Sequence, residues 1–408
     1  MKKKFVVYAL CAAMVLSMVG CSSSDSSSDT TAAADTTAAA EETTGAADDT
    51  EATDETTGEE GEETEAAEGS STELSDDMTV DEMKAYASEG METSIECDPI
   101  EISLACSGTV EGTAIGYAVE YATEAVSEWT NGNFVVTFYP GGELGSDTEL
   151  IESVQLGTVD IFTGSPSSQG TLIPNLNVLD IGGLYTDVDD CNVVLEDMFD
   201  TFASYYEEKG LHLSALFATE FRILTSSKAI ETADDLSGLN IRVQDNTYHM
   251  TFWSELGCNA TPLAFGELYI ALQQGMMDAQ ENPWASIVGA KLYEVQPYII
   301  KTNHIPFVST YVMNGSKYES MSDEQKLACD QFIEYCKRYT LAATPADDAA
   351  LQATCEEYGC TVTDASDEIL ALMASASEPV IEEMKASGDV DTDLIDTYVA
   401  AAEAASAD

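Results

Sequence analysis

The sequence predicts an α/β fold of two lobes, in which sheets flanked by helices face each other across a cleft and a long helix connects them. Three observations lead there. Strand and helix patterns alternate from residue 100 to residue 163, the alternation restarts after residue 211, and a capped helical run begins at Ser322 and continues past Arg338. Such alternation implies parallel strands with right-handed crossovers, and ligands of such sheets sit outside the carboxyl ends of the strands.

The elements follow in order. Residues 100–105 alternate as a strand does. From Gly112 to Trp129, the residues Ile115, Val119, Ala122, Val126 and Trp129 form a helical stripe that Asn131-Gly132 closes. Residues 134–139 read as a strand stopped by Pro140-Gly141-Gly142. Ser146 and Glu149 make a capping box that opens a helix, Gly157 ends it, and a strand follows over 159–163. Further on, strands are expected over 211–217, 222–226, 240–244, 276–281 and 307–313. Helices are expected over 247–256 and 265–274, closed by Gly257 and Gly275. Ser322 and Gln325 cap the long helix, which Pro345 is expected to kink or break.

At 408 residues the chain is long enough for two domains with sizeable cores. It opens with Lys2, Lys3 and Lys4, then an apolar stretch over 5–19, then Gly20-Cys21. That is a secretory signal too short to span a membrane. The small residue before a cysteine resembles a bacterial lipobox, although Met18-Val19 stands where Leu-Ala or Leu-Ser is usual. The expectation is a lipoprotein signal peptide over 1–20 and a lipidated Cys21. The alternative is an ordinary signal with a chance cysteine. Residues 22–80 hold 19 acidic residues and no lysine or arginine. Such a segment cannot bury enough apolar surface to offset ordering, so 21–96 is expected to be a lipid-anchored, disordered acidic tether with a reach of about 45 Å.

The chain has 15 Lys and Arg against 75 Asp and Glu, a formal charge of −60. Nucleic acid and anionic lipid surfaces are therefore excluded as partners. An anionic ligand would need a local, sheltered cationic pocket. Only three arginines are present, and two of them, Arg222 and Arg242, fall within residues 220–304. A bidentate fork suits a carboxylate.

Cysteine and histidine usage says less. Of ten cysteines, eight lie beyond Cys21 and none forms a CxxC pair, so no metal site is expected. Cys329 and Cys336 share a helical face, and a clip from them to Cys355 and Cys360 stands beside eight free thiols as alternatives. The three histidines, His212, His249 and His304, show no zinc spacing, and no GxSxG elbow is present. Gly108, Gly112 and Gly116 lack nucleotide-binding spacing. They read as close helix packing or as amides exposed to a ligand. No catalytic residue and no cofactor is expected.

Several ordered segments carry a resemblance. These are Tyr139-Pro140, Leu144-Gly145, Glu152 to Gly157, Asp235 to Val243, Ala271 to Gly275, Gln280-Glu281-Asn282-Pro283, Glu294-Val295-Gln296 and Thr302-Asn303-His304. Over about residues 98–400 the chain resembles the DctP-type substrate-binding proteins of tripartite ATP-independent periplasmic (TRAP) transporters. The resemblance implies a periplasmic-binding-protein-like fold with mixed sheets. The first lobe would comprise 98–219 plus 308–347, and the second 220–307 plus 348–403. It implies a monomeric, non-enzymatic receptor outside the cytoplasm that binds a small organic acid and delivers it to TRAP permease subunits. A sensor ligand domain and an extracellular hydrolase are the alternatives.

The resemblance also implies site residues. Arg242 would pair with the substrate carboxylate, Arg222 would be a second cleft residue, Asn282 would contact the carboxylate region, and Phe265 would pack on the ligand. Ser165 and Glu220 complete the expected substrate-binding set. Each has a structural alternative: Arg242 bridged to Asp245 or Glu267, Arg222 bridged to Glu220, and Phe265 in the core. Two departures stand out. Asp245-Asn246-Thr247 replaces a region where the family has a proline. Thr163-Gly164-Ser165 forms a small, uncharged wall, which favours a simple organic acid.

Overall fold

A computed structural model describes Leu74 and residues 78–407. The expected signal peptide, Cys21 and most of the expected tether lie outside the described residues. The chain begins with α1 (Val80–Ala87), β1 (Ile100–Ala105), α2 (Ala114–Trp129), β2 (Phe134–Tyr139), α3 (Asp147–Leu156) and β3 (Ile161–Gly164). Two 3₁₀ turns (Pro166–Gln169 and Pro174–Asp180) lead to α4 (Val188–Asp197), α5 (Phe199–Glu207), β4 (Leu211–Phe221) and β5 (Ile223–Ser226). Then come β6 (Asn240–Val243), α6 (Thr247–Glu255), β7 (Asn259–Pro262), α7 (Phe265–Gln273), β8 (Ala279–Asn282), α8 (Trp284–Gly289) and β9 (Tyr298–Lys301). The chain closes with β10 (Pro306–Asn314), α9 (Gly315–Ser320), α10 (Asp323–Tyr358), β11 (Thr361–Asp364), α11 (Asp367–Ser387) and α12 (Thr392–Ala405).

The strands form two mixed sheets, ordered β2-β1-β3-β10-β4 and β11-β9-β5-β8-β6-β7. Strands β2, β1 and β3 are parallel, as the strand–helix alternation requires, whereas β10 runs antiparallel to both β3 and β4. That reversal is how the chain passes between the sheets. It leaves the first sheet where β4 gives way to β5, with Arg222 between them, and returns between β9 and β10. The two crossings are joined where the Arg222 N–H donates to the Ile305 carbonyl at 2.9 Å.

Helix α10 is the third crossing. It packs against α1, α2 and β4, and toward its end, at Leu351 and Cys355, joins the core of α8. The Ser322/Gln325 capping box is present. The expected break at Pro345 is not: the helix runs unbroken through it. Pro345 is exposed, so the carbonyl it leaves without a donor, four residues earlier, lies on the same outer face. Packing on both flanks holds the axis.

Two further expectations change, and one open alternative is settled. Residues 78–96 belong to the folded body: α1 has its own Thr79/Glu82 capping box, and Met83, Ala87 and Ile95 are buried. The third arginine, Arg338, binds Glu334 and the Glu89 carbonyl, both at 2.7 Å. Residues 392–403, expected in the second lobe, lie in α12, which packs on α4. There Tyr398 meets Tyr185 and Phe202. All eight described cysteines are free and buried. Because Cys336 and Cys355 lie on one helix, its rise of ~1.5 Å per residue separates them by about 28 Å, which rules out a clip.

Candidate functional site

The carboxyl ends of β1 and β3 and the second sheet's β6 and β8 converge on a cavity of about 110 Å³. Its lining includes Thr163 and Ser165, Asp147 at the start of α3, Arg222, Arg242 and Gln244, Phe265, Asn282, Ser286 and Phe307. It opens toward a wider cleft with which it shares Ser107, Asp147, Arg242, Gln244 and Phe265. The walls touch across the cleft: a Cβ added to Gly289 of α8 would lie 2.5 Å from the Thr109 carbonyl oxygen of the opposite loop. Gly116 serves packing, since a Cβ there would strike the Val110 carbonyl at 2.0 Å.

The two arginines differ. Arg222 is fully engaged on one edge: its Nε donates to Glu281 Oε2, and its Nη2 donates to Glu281 O (2.7 Å), Glu281 Oε1 (2.9 Å) and Asn282 Oδ1 (3.1 Å). Its partner is therefore Glu281, not Glu220. Among the described residues Arg242 has no carboxylate within ion-pair distance, and neither Asp245 nor Glu267 bridges it. Its Nε and Nη2 both donate to one carbonyl, Leu263 O, at 2.8 and 2.6 Å. Its Nη1 is buried without a partner. Burial pulls its pKa down to about 10 against the pull of Glu281, which leaves the guanidinium charged at neutral pH.

Two more unpartnered groups are buried in the same lining, Gln244 Nε2 and Thr163 Oγ1. An unmade hydrogen bond on a buried polar atom costs about 1–3 kcal/mol, so three in one cavity mark a place for an oxygen-rich ligand. Asn282 is committed: it accepts from Arg222, and its Nδ2 donates to Gln280 Oε1. Ser165 Oγ donates to Ser167 Oγ at 2.9 Å. Phe265, half-buried at the start of α7, lines both the cavity and the cleft.

Glu220 is the exception among the expected residues. It faces away from this cavity, where its Oε2 accepts the Trp284 N–H at 2.9 Å. The uncharged wall is also qualified. A Cβ on Gly164 would lie 3.3 Å from Asp147 Oδ1, so Gly164 leaves room for an acidic group supplied by another element. Burial raises the Asp147 pKa, while hydrogen bonds from Ser107 and the charge of Arg242 oppose the rise. The Ser146/Glu149 capping box, which put residue 147 in a helix's first turn just past a strand end, was the signal that could have found it.

Behind the arginines lies a network unforeseen from the sequence. The His304 ring bonds Glu281 Oε2 (3.1 Å) and Thr302 Oγ1 (2.8 Å). His249 Nε2 is 2.9 Å from Asp180, which also accepts from Asn246 Nδ2 (2.8 Å) and from Ser167 Oγ. Burial would lower the His249 pKa, but Asp180 and Glu281 outweigh it and raise it to about 9. Burial likewise opposes ionisation of Glu281, yet Arg222, His249 and His304 hold it well below the usual carboxylate range.

This is the construction of a two-lobed ligand-binding protein whose cleft is built around a buried cation. The comparisons agree. The family model for bacterial extracellular solute-binding proteins, family 7 (DctP), matches residues 107–387, and the chain belongs to that family. The ectoine-binding periplasmic protein TeaA of Halomonas elongata is 30% identical over 283 residues, covering 66% of this chain and 81% of its own. The 2,3-diketo-L-gulonate-binding protein YiaO of Escherichia coli is 30% identical over 201 residues, covering 49% and 61%. Among solved structures, the galactonate complex of the sugar-acid-binding protein DctPAm of Advenella mimigardefordensis superposes with TM-score 0.72 at 26% identity. It covers 76% of this chain and 100% of its own. A TRAP solute-binding protein of Desulfovibrio salexigens with bound orotic acid gives TM-score 0.68 at 25% identity, covering 75% and 99%.

Proposed function

We propose that this protein is an extracytoplasmic receptor that closes on a small organic acid and delivers it to a TRAP permease. The observation that carries the reading is the buried, unpartnered Nη1 of Arg242, beside the equally unpartnered Gln244 Nε2 and Thr163 Oγ1. A carboxylate bound there completes the hydrogen bonding of a cation already withdrawn from water. A neutral analogue leaves that cation unsatisfied, which gives selectivity. Arg222, Asn282 and Ser165 support this end of the ligand, and Phe265 packs on its apolar face. Asp147, on the cleft side of the cavity, meets a hydroxyl or protonated amine of the ligand. The ligands named for the relatives, among them galactonate, orotic acid and ectoine, suit such a site.

The rest of the reading concerns placement. A lipidated Cys21 with its acidic segment tethers a monomeric body to the outer face of the membrane, and the lobes divide at Arg222, at 302–305 and within α10. The test is a thermal shift of the folded chain against a panel of carboxylic acids, beside Arg242→Ala. A ligand at 100 times its Kd stabilises by about 2.7 kcal/mol, enough to move Tm by several degrees. The expected result is a shift for one acid class that the variant loses while still folding. A shift unchanged in Arg242→Ala would overturn the assignment. So would the absence of any shift from a protein shown by mass spectrometry to carry no ligand.

A further inference from the structure

Glu220 has no place in the ligand cavity, yet it is buried, with 7% of its surface exposed. It faces a second cavity, of about 40 Å³, whose wall on α10 is made by Thr340, Thr344, Asp347 and Asp348. All three crossings between the sheets come together around it. Glu220 sits at the end of β4, two residues before the Arg222–Ile305 link that joins the strand crossings. Asp348 sits on the helical crossing, and the Trp284 N–H that Glu220 accepts opens α8.

Among the described residues no lysine, arginine or histidine lines this second cavity. Arg222, the nearest cation along the strand, is committed to Glu281. On α10, Asp347 adds another acid, whose carboxylate accepts the Ala114 N–H of α2 at 2.8 Å. From β10, only Phe307 and Ser309 face the cavity, from α8 only Ala285, and from α2 Ala114 and Ile115, so none of these elements adds a charge. The Glu220 and Asp348 carboxyl groups line the same small cavity, and each acts directly on the other's ionisation. Glu220 is buried and Asp348 half-buried, and two neighbouring carboxylates that water screens poorly do not both ionise readily, so one of them keeps a hydrogen that the other can accept.

We propose that Glu220 and Asp348 share one proton at neutral pH, and that this proton latches α10 to the strand crossing and to α8. Burial, followed by the charge of Asp348, pushes Glu220 well above the usual carboxylate range. Burial raises Asp348 to about 7. The folded state therefore holds the proton at a pH where the unfolded chain has released it. Stability falls as pH rises from the ordinary carboxylate range through about 7, and the loss is complete above the folded values. Ile115, Ala285, Phe307 and Ser309 line both cavities, so loosening the latch also moves a wall of the ligand cavity. The latch holds whatever the ligand is.

The test compares Tm against pH for the wild type, Glu220→Gln and Asp348→Asn, without ligand. The wild-type Tm is expected to fall between about pH 5 and pH 8.5, more steeply than that of either amide variant. Glu220→Gln, with a permanent donor in place of the shared proton, is expected to be the more stable protein at the alkaline end. His249 titrates in the same direction in all three proteins, so their difference isolates the pair. Infrared spectroscopy of the wild type supplies a readout independent of the variants' folding: a buried protonated carboxyl band that persists at neutral pH. Parallel Tm profiles, or no such band, would overturn the proposal. So would stabilisation of the wild type but not Glu220→Gln by sodium or calcium at alkaline pH, which would mean a cation occupies the cavity instead.

Discussion

Arg222 and Arg242 are both about 2% exposed and both line the cavity, yet the protein treats them oppositely. Around Arg222, Glu281, Asn282 and two histidines complete a buried charge network at the crossing from β4 to β5. Around Arg242, one peptide carbonyl takes two of the guanidinium donors, and the third nitrogen is left bare. The contrast separates structure from function within a single residue type. A buried charge that a neighbouring carboxylate neutralises is first of all scaffold, whereas one left without such a partner in a cavity is a receptor for something absent from the chain.

The comparison breaks most visibly if Arg222 is removed. Arg222→Ala strands the Glu281 carboxylate among groups that no longer neutralise it, and a loss of about 3–5 kcal/mol is expected, read by denaturant unfolding. Arg242→Ala should do the reverse, with near wild-type stability and ligand affinity reduced on the order of 100-fold or more, measured by calorimetry. If the two variants were equally unstable, the division between scaffold and receptor would fail.

The His249–Asp180 contact sharpens the scaffold side. The folded pKa of His249, about 9, exceeds the ordinary value of 6.5. Its contribution is therefore present in full below the ordinary value and is lost as pH rises through about 9. His249→Gln should flatten the alkaline limb of a Tm–pH profile. The smallest effect is expected at Asp147. Asp147→Asn keeps the volume and removes the charge, so affinity should change about tenfold or less for hydroxylated acids, and more for ligands bearing an amine. Ranking the variant's affinities across those two ligand groups checks it.

How much of this was legible in the sequence depended on whether a feature is local. Strand β1, strand β2, the boxed starts of α3 and α10, and the glycine ends of helices were readable because hydrogen bonds within a few residues decide them. Helix α1 was hidden because its two buried residues, Met83 and Ala87, follow directly on an acidic, low-complexity stretch. Of the site, Arg242 and Arg222 were marked by their scarcity in a chain of charge −60. Asp147, Gln244 and the His249–Asp180 contact carried no such mark.

By itself, then, the sequence determined the alternation of elements, the family motifs and the need for a sheltered cation, since all three rest on residue type and short-range spacing. Only the tertiary structure decided which arginine is neutralised, that Glu220 faces α10 and not the ligand, and that Pro345 leaves the long helix intact. Each of those outcomes depends on groups brought together from distant parts of the chain, and burial makes a missing partner there costlier than any local preference.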